Sequence, residues 1–225
     1  MTMSETPSRP RPRRPQLTRE AVIEAAARVM AREGYDGLTM RAIADELGVQ
    51  APALYWHVGA KEELEALLYD HLMSGFTVTL AGADWRESIR NAAQQLRRYL
   101  RSKRDISRII PVQMSLGPNS SAQLDGSLAL LRGAGLSVRD AADAFNMLFG
   151  YVVDWASAEA DLIERLKAGV ETPPRAAPAA DPNLYPFLAE AGEDLVRDDI
   201  DGRFAFGLEC LIGGLEKIIA ATTAG

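Results

Sequence analysis

The sequence predicts an all-α protein in which a small three-helix N-terminal unit precedes a larger helical body. Three observations predict it. Apolar residues recur at one-turn spacing from Thr18 onward, no run alternates with the period of two that a half-buried strand needs, and glycine or Gly-Pro-Asn runs punctuate the apolar segments. A chain of 225 residues has room for one module of ~50 residues and a second of ~150.

Taken in order, residues 1–16 place Arg9, Arg11, Arg13 and Arg14 among prolines, bury little, and are expected to form a flexible arm. The arm is either a solvated tail or one whose arginines reach nucleic-acid phosphate or a minor groove. From Thr18, a candidate N-cap, the residues Val22, Ile23, Ala26, Val29 and Met30 mark a first helix that Gly34 ends. Thr39 caps a second, with Met40, Ile43, Ala44 and Leu47 on its apolar face, and Gly48 stops it. A third follows at once, with Pro52 in its first turn, where a missing amide costs nothing. Two short helices joined by so tight a turn are the signature of a helix-turn-helix.

A fourth helix is expected from Lys61 to about Leu80, with Leu64, Leu67, Leu68 and Leu72 on one side. Further helices are expected at 84–102, 105–115, 120–133 and 137–169, divided by Gly117-Pro118-Asn119 and Gly133-Ala134-Gly135. A Pro/Ala loop at 171–182 then leads to helices at 183–197 and 202–221. The expected division is an arm at 1–16, a helix-turn-helix unit at 17–62, and a body at 63–225.

Composition narrows the function. No apolar run approaches the ~20 residues that cross a bilayer, and no apolar stretch follows the basic arm to serve a secretory signal, so a cytoplasmic protein without a membrane partner is expected. The single cysteine, Cys210, has no second thiol to pair with and is expected in the core. With two histidines, no Gly-rich phosphate loop, no Gly-x-Ser-x-Gly and no His/Glu metal spacing, neither an enzyme nor a cofactor is expected. The net charge of −6 argues against nucleic acid until it is split by position. Residues 1–61 carry 9 basic and 7 acidic side chains, a net +2, whereas the rest carry 16 and 24, a net −8.

The run DGLTMRAIADELGVQAPALYWHVGAKEELEALL, residues 36–68, resembles the DNA-binding domain of the TetR (tetracycline-repressor) family in order, spacing and residue type. The block Leu54-Tyr55-Trp56-His57-Val58 followed by Lys61 is far more specific than a generic helix-turn-helix. The second half is similar too, through Trp85-Arg86 with Arg90-Asn91, Lys103-Arg104-Asp105, Phe206-Gly207-Leu208-Glu209 and Gly214-Leu215-Glu216-Lys217.

The resemblance implies double-stranded operator DNA as a partner, read by Thr39, Met40, Arg41, Gln50, Ala51, Pro52, Ala53, Tyr55, Trp56, His57 and Lys61. Among these Arg41 is the base reader, since a guanidinium can hold guanine O6 and N7 with two bonds. Tyr55, His57 and Lys61 fall to phosphate, and Ala51 and Ala53 stand where tetracycline repressors carry polar groups, so thymine methyls become part of the readout. The competing reading is that Tyr55 and Trp56 pack the three-helix core.

For the body the resemblance implies a ligand cavity among the helices at 61–169, with matching positions Thr77, Leu96, Ile110, Gln113, Met114, Leu124, Leu128 and Asn146, and with Tyr99, Phe145 and Phe149 nearby. Ile110, Gln113, Ala92 and Thr77 replace groups that serve the tetracycline and its magnesium, so no metal is expected, and the effector is expected to be a hydrophobic molecule, antibiotic-like or polyketide-like. The helix at 137–169 and the last helix, with Gly207, Leu211 and Gly214 at turn spacing, are expected to join two copies into a homodimer on a palindromic operator. By the same resemblance the chain is a repressor of an efflux or resistance gene, with an activator or a small-molecule binder without DNA as alternatives.

Overall fold

The computed structural model describes residues 17–78, 84–110, 117–169, 179–196 and 199–223. Every regular element among them is helical: α1 (Arg19–Glu33), α2 (Met40–Leu47), α3 (Ala51–Val58), α4 (Lys61–Met73), α5 (Trp85–Ser102), α6 (Pro118–Gly133), α7 (Val138–Lys167), α8 (Pro186–Val196) and α9 (Ile200–Thr223). A 3-10 turn at Ile106–Ile109 lies between α5 and α6. The arm at 1–16, most of the Pro/Ala loop, and Gln113 and Met114 lie outside the described residues.

The caps explain the first three helices. Thr18 accepts the Ala21 amide at 3.1 Å and Thr39 the Ala42 amide at 3.1 Å, each filling an orphan donor of the helix it starts. Gly48 closes α2 in the left-handed region (φ 65°, ψ 34°), where a side chain would be strained, and this lets α3 begin three residues later. Val22, Val29 and Met30 of α1, Ile43 of α2, Leu54 and Val58 of α3, and Leu64 and Leu68 of α4 bury their side chains in one shared core. Thus α4 belongs to the N-terminal packing at its start and to the body at its end.

Two expected helices are shorter than their apolar patterns suggested. α4 stops at Met73 rather than near Leu80. The Tyr99 hydroxyl donates to the Leu72 carbonyl, one of the acceptors a helix end leaves open, and Gly75 packs so close to Tyr99 that a Cβ there would sit 3.0 Å from its oxygen. The helix expected at 105–115 is, among described residues, only the 3-10 turn: it starts after Asp105, in a left-handed conformation (φ 55°, ψ 17°), and Ile110 leaves it in extended backbone (φ −63°, ψ 122°).

In the body α5 and α7 pack along their lengths, with α6 and α9 against α7. Arg97 of α5, side chain 3% exposed, pairs with Glu159 of α7 through Nε at 2.7 Å and with Asp201 of α9 at 2.8 Å, while lying 4.3 Å above the Phe204 ring. Arg101 meets the other Glu159 oxygen at 2.8 Å. A buried charge is tolerated only with partners so close, and this one pins three helices in register.

Candidate nucleic-acid interface and core cavity

The second and third helices place their polar and aromatic residues on one outward face. The Trp56 side chain is 89% exposed and Tyr55 53%, whereas their neighbours Leu54 and Val58 are fully buried. The core-packing alternative for the two aromatics is therefore corrected: the helical period turns both rings outward. An indole buries on the order of 200 Å2 when covered, so at ~25 cal/mol per Å2 leaving it in water forgoes several kcal/mol. No packing contact among the described residues accounts for its position.

Around these rings, Arg41 is the most open of the basic groups, its side chain 90% exposed and only loosely paired with Asp45 at 4.0 Å. Gln50 and Pro52 are exposed at the start of α3, and Ala53 and His57 are half-buried. Met40 and Ala51 are half-buried and pack against the core, so their backbones rather than whole side chains lie at the surface. Thr39 is exposed with its oxygen already engaged as a cap. Lys61 turns back into the protein, its Nζ 4.8 Å from the Tyr35 ring centre and 3.6 Å from Glu65. The face is braced from behind by Glu46, whose carboxylate takes Arg28 at 2.9 Å and Arg32 at 3.1 Å and is held below the usual carboxylate range by those hydrogen bonds.

The body contains a cavity of about 330 Å3 lined mainly by α4, α5, α6 and α7. Of the expected residues Leu96, Ile110, Leu124, Phe145, Asn146 and Phe149 line it. Thr77 does not; it is exposed beyond the early end of α4. Tyr99 is spent on the α4 terminus and lies tilted against Phe76, ring centres 5.0 Å apart, and Leu128 packs against the core without facing the cavity. Sequence reasoning missed Tyr69, Met73 and Phe76 on one wall and Ser120, Gln123 and Ser127 on the facing one.

The cavity's chemistry is uncharged. Tyr69 is the one ionisable group in its lining among the described residues, and burial, with the Asp70 charge beside it, pushes its hydroxyl up to about 12, so it is neutral at physiological pH. Among the described residues no cluster of three His, Cys, Asp or Glu side chains converges to hold a metal ion. Phe145 and Phe149 stack at 5.4 Å with planes 16° apart, a flat aromatic wall.

A joint connects the two regions. Ile110 lines the cavity, and just before it Asp105 accepts the Tyr35 amide at 2.7 Å, Arg104 donates to the Arg32 carbonyl at 2.8 Å, and Arg108 grips Asp36 with bonds of 3.1 and 2.9 Å. The Arg108 guanidinium also lies 4.3 Å from the Tyr35 ring centre. Gly34 (φ 78°) leaves room for this: a Cβ there would sit 2.6 Å from the Asp105 carboxylate. The Arg108 bond holds Asp36 below the ordinary carboxylate range.

A third surface is apolar and uncovered. On α9 the residues Phe206, Cys210, Gly214 and Ile218 recur every four positions on an exposed stripe, so Cys210 is not in the core. Gly207, expected on that stripe, instead touches Tyr151 of its own chain, whose hydroxyl donates to the Phe204 carbonyl at 2.7 Å. On α8 and just before it, Leu184, Tyr185, Phe187, Leu188 and Leu195 are exposed. No helix among the described residues is long and apolar enough to cross a membrane.

Comparison with known proteins accounts for both regions. Residues 22–67 match the family described as bacterial regulatory proteins, tetR family, and residues 79–219 match the tetracyclin repressor-like C-terminal domain. The class D tetracycline repressor protein of Escherichia coli is 34% identical over 92% of each chain. The transcriptional repressor DrrR1 of Streptomyces coeruleorubidus is 31% identical over 92% of this chain and 80% of its own. Among solved structures, ActR of Streptomyces coelicolor in complex with actinorhodin superposes with a TM-score of 0.78 at 30% identity, covering 89% of this chain and 96% of that one. The chain belongs to the TetR family of transcriptional repressors and is not an enzyme.

Proposed function

We propose that this repressor binds a palindromic operator as a homodimer and is released by an uncharged, hydrophobic, flat organic molecule that occupies the core cavity. The observation that carries the reading is the 89% exposure of Trp56, beside Tyr55 and Arg41, on the helix that follows the tight turn. A side chain so placed fits a docking surface, and one end of a short helix fits a major groove. Thr39, Gln50, Pro52 and His57 then fix the helix on the backbone, and Arg41 reads bases.

The effector's class follows from the lining. A cavity of about 330 Å3 without an ionised group favours a neutral molecule, and the Phe145–Phe149 wall favours a planar one. Polyketide-like antibiotics have these properties, and the capture of the relative ActR with actinorhodin supports the same class here. The uncovered stripe on α9 and the apolar face at 184–195 support a second copy of the chain as the partner that covers them. The regulated gene in this reading encodes an efflux pump or a resistance enzyme.

Fluorescence anisotropy with DNA from the gene's own upstream region, repeated with a panel of neutral hydrophobic antibiotics, tests this. Saturable, salt-sensitive binding that one compound abolishes is the expected result. Absence of binding even at low salt would refute it in favour of a small-molecule binder without DNA. A deletion strain in which no transporter or modifying enzyme rises in transcript would refute the assigned target.

A further inference from the structure

The buried carboxylate of Asp70 belongs to neither the reading face nor the cavity lining. It sits on α4, 7% exposed, between the cavity residues Tyr69 and Met73, and it points at the first turn of α6. There Oδ1 accepts the Ser120 amide at 2.8 Å and the Ser120 hydroxyl at 2.7 Å, and Oδ2 accepts the Asn119 side-chain amide at 2.9 Å. The residue in the N-cap position of α6 is Gly117, which has no side chain to satisfy the orphan amides of that turn. Asp70 thus caps α6 from another helix, some fifty residues away in sequence. The fit leaves no slack, since a Cβ at Gly117 would overlap the Asp70 carboxylate although its backbone (φ −77°) would accept any residue.

A second tie runs parallel to the first: the Gln123 side-chain amide donates to the Phe76 carbonyl at 2.7 Å. Both ties join the cavity's α4 wall, Tyr69, Met73 and Phe76, to its α6 wall, Ser120, Gln123 and Leu124. Ser120 belongs to both the cap and the lining. An occupant that takes the Ser120 hydroxyl, or that widens the gap between the walls, must loosen the cap. The first half of α4 carries Leu64 and Leu68 into the core under α1 and α3, so α4 cannot shift alone.

We propose that Asp70 is the positioning residue that couples the cavity to the DNA-reading unit: its cap on α6 holds α4 in the operator-binding position, and an occupant of the cavity acts by loosening that cap. This rests on the ligand-released repressor proposed above and names the contact through which release passes. Coupling between two ligands is reciprocal, so it is measured without knowing the natural effector.

The test uses the full-length chain, the neutral dye Nile red as cavity probe, and a labelled upstream DNA fragment. In the unmodified protein, saturating DNA is expected to weaken Nile red binding about tenfold, and Nile red to weaken DNA binding by the same factor. Asp70→Asn, which sets an amide against the Asn119 amide, is expected to weaken DNA binding alone by up to about tenfold, as an occupant does, and to reduce the mutual effect to about twofold or less. Gly117→Ala, which displaces the carboxylate without altering it, is expected to do the same and stands in if Asp70→Asn does not fold. Variants that melt at lower temperature yet keep the full mutual effect would make the cap merely structural and overturn the proposal. An unmodified protein that binds only one of the two probes, or binds both independently, would refute the repressor reading itself, and the proposal with it.

Discussion

The reading face and the cavity are built in opposite ways. The face comes from one contiguous segment, residues 39–61, whose turn and caps are local. The cavity is assembled from segments as far apart as Tyr69 and Val152 and exists only after four helices have packed. The face is therefore fixed in position but open in partner, since its aromatic and basic groups wait on the surface. The cavity is narrower in chemistry, with Ser120, Gln123 and Ser127 already bonded to the protein, and in the proposed reading it selects its occupant by shape and neutrality.

Substitutions can break or sharpen that contrast. The largest effect is expected beneath the face: Leu54→Ala removes a fully buried side chain and should cost about 2–5 kcal/mol in a thermal or denaturant unfolding experiment, taking DNA binding with it. On the face itself, Arg41→Ala should leave the melting temperature unchanged while weakening operator binding by ~1–3 kcal/mol and relaxing discrimination at one base pair. If stability fell and affinity did not, Arg41 would belong to the scaffold. In the cavity, Leu96→Trp should fill the space at a cost of ~1–3 kcal/mol, leaving operator binding intact and abolishing the response to any effector.

The smallest effect lies at the joint. The folded-state acidity of Asp36 is raised by Arg108, so its pairing stabilises the protein above the unfolded carboxylate range and is lost as pH falls through the lower folded value. Asp36→Asn should therefore lower the melting temperature slightly at neutral pH, and the difference from the unmodified chain should vanish in acid. Solvent screening keeps this contribution small.

Legibility followed the same divide. Thr39, Gly48 and Pro52 announce the turn because each acts on its immediate neighbours, whereas an unbroken apolar run such as Leu54-Tyr55-Trp56 leaves the two rings undecided until packing puts Leu54 inside and both rings outside. Apart from Leu124, the α6 wall was missed for a physical reason. Its sequence begins Pro118-Asn119-Ser120-Ser121 and reads as a solvent face, yet Ser120, Gln123 and Ser127 turn inward because each finds an acceptor, on Asp70, Phe76 and Gln123 itself. One signal was available: an aspartate set among the apolar residues of α4 needs a partner, and Asp70 names the helix that faces it. The early end of α4 was likewise written in Gly75 and the β-branched Thr77 and Val78, which the leucine pattern outweighed.

The chain's three tryptophans stand in three different solvents. Trp56 is open to water on α3, Trp85 is half-buried under Arg86 at the start of α5, and Trp155 stands edge-on to Phe204 between α7 and α9. An indole in water emits at longer wavelength than one in an apolar core, so the red edge of the protein's own emission comes from the reading face and the blue edge from the interior. Collisional quenching by iodide would act most strongly on Trp56 and less on the half-buried Trp85 and Trp155. In the proposed reading the unlabelled protein therefore carries two optical channels, one that dims or shifts when DNA covers Trp56 and one that follows the packing of the body.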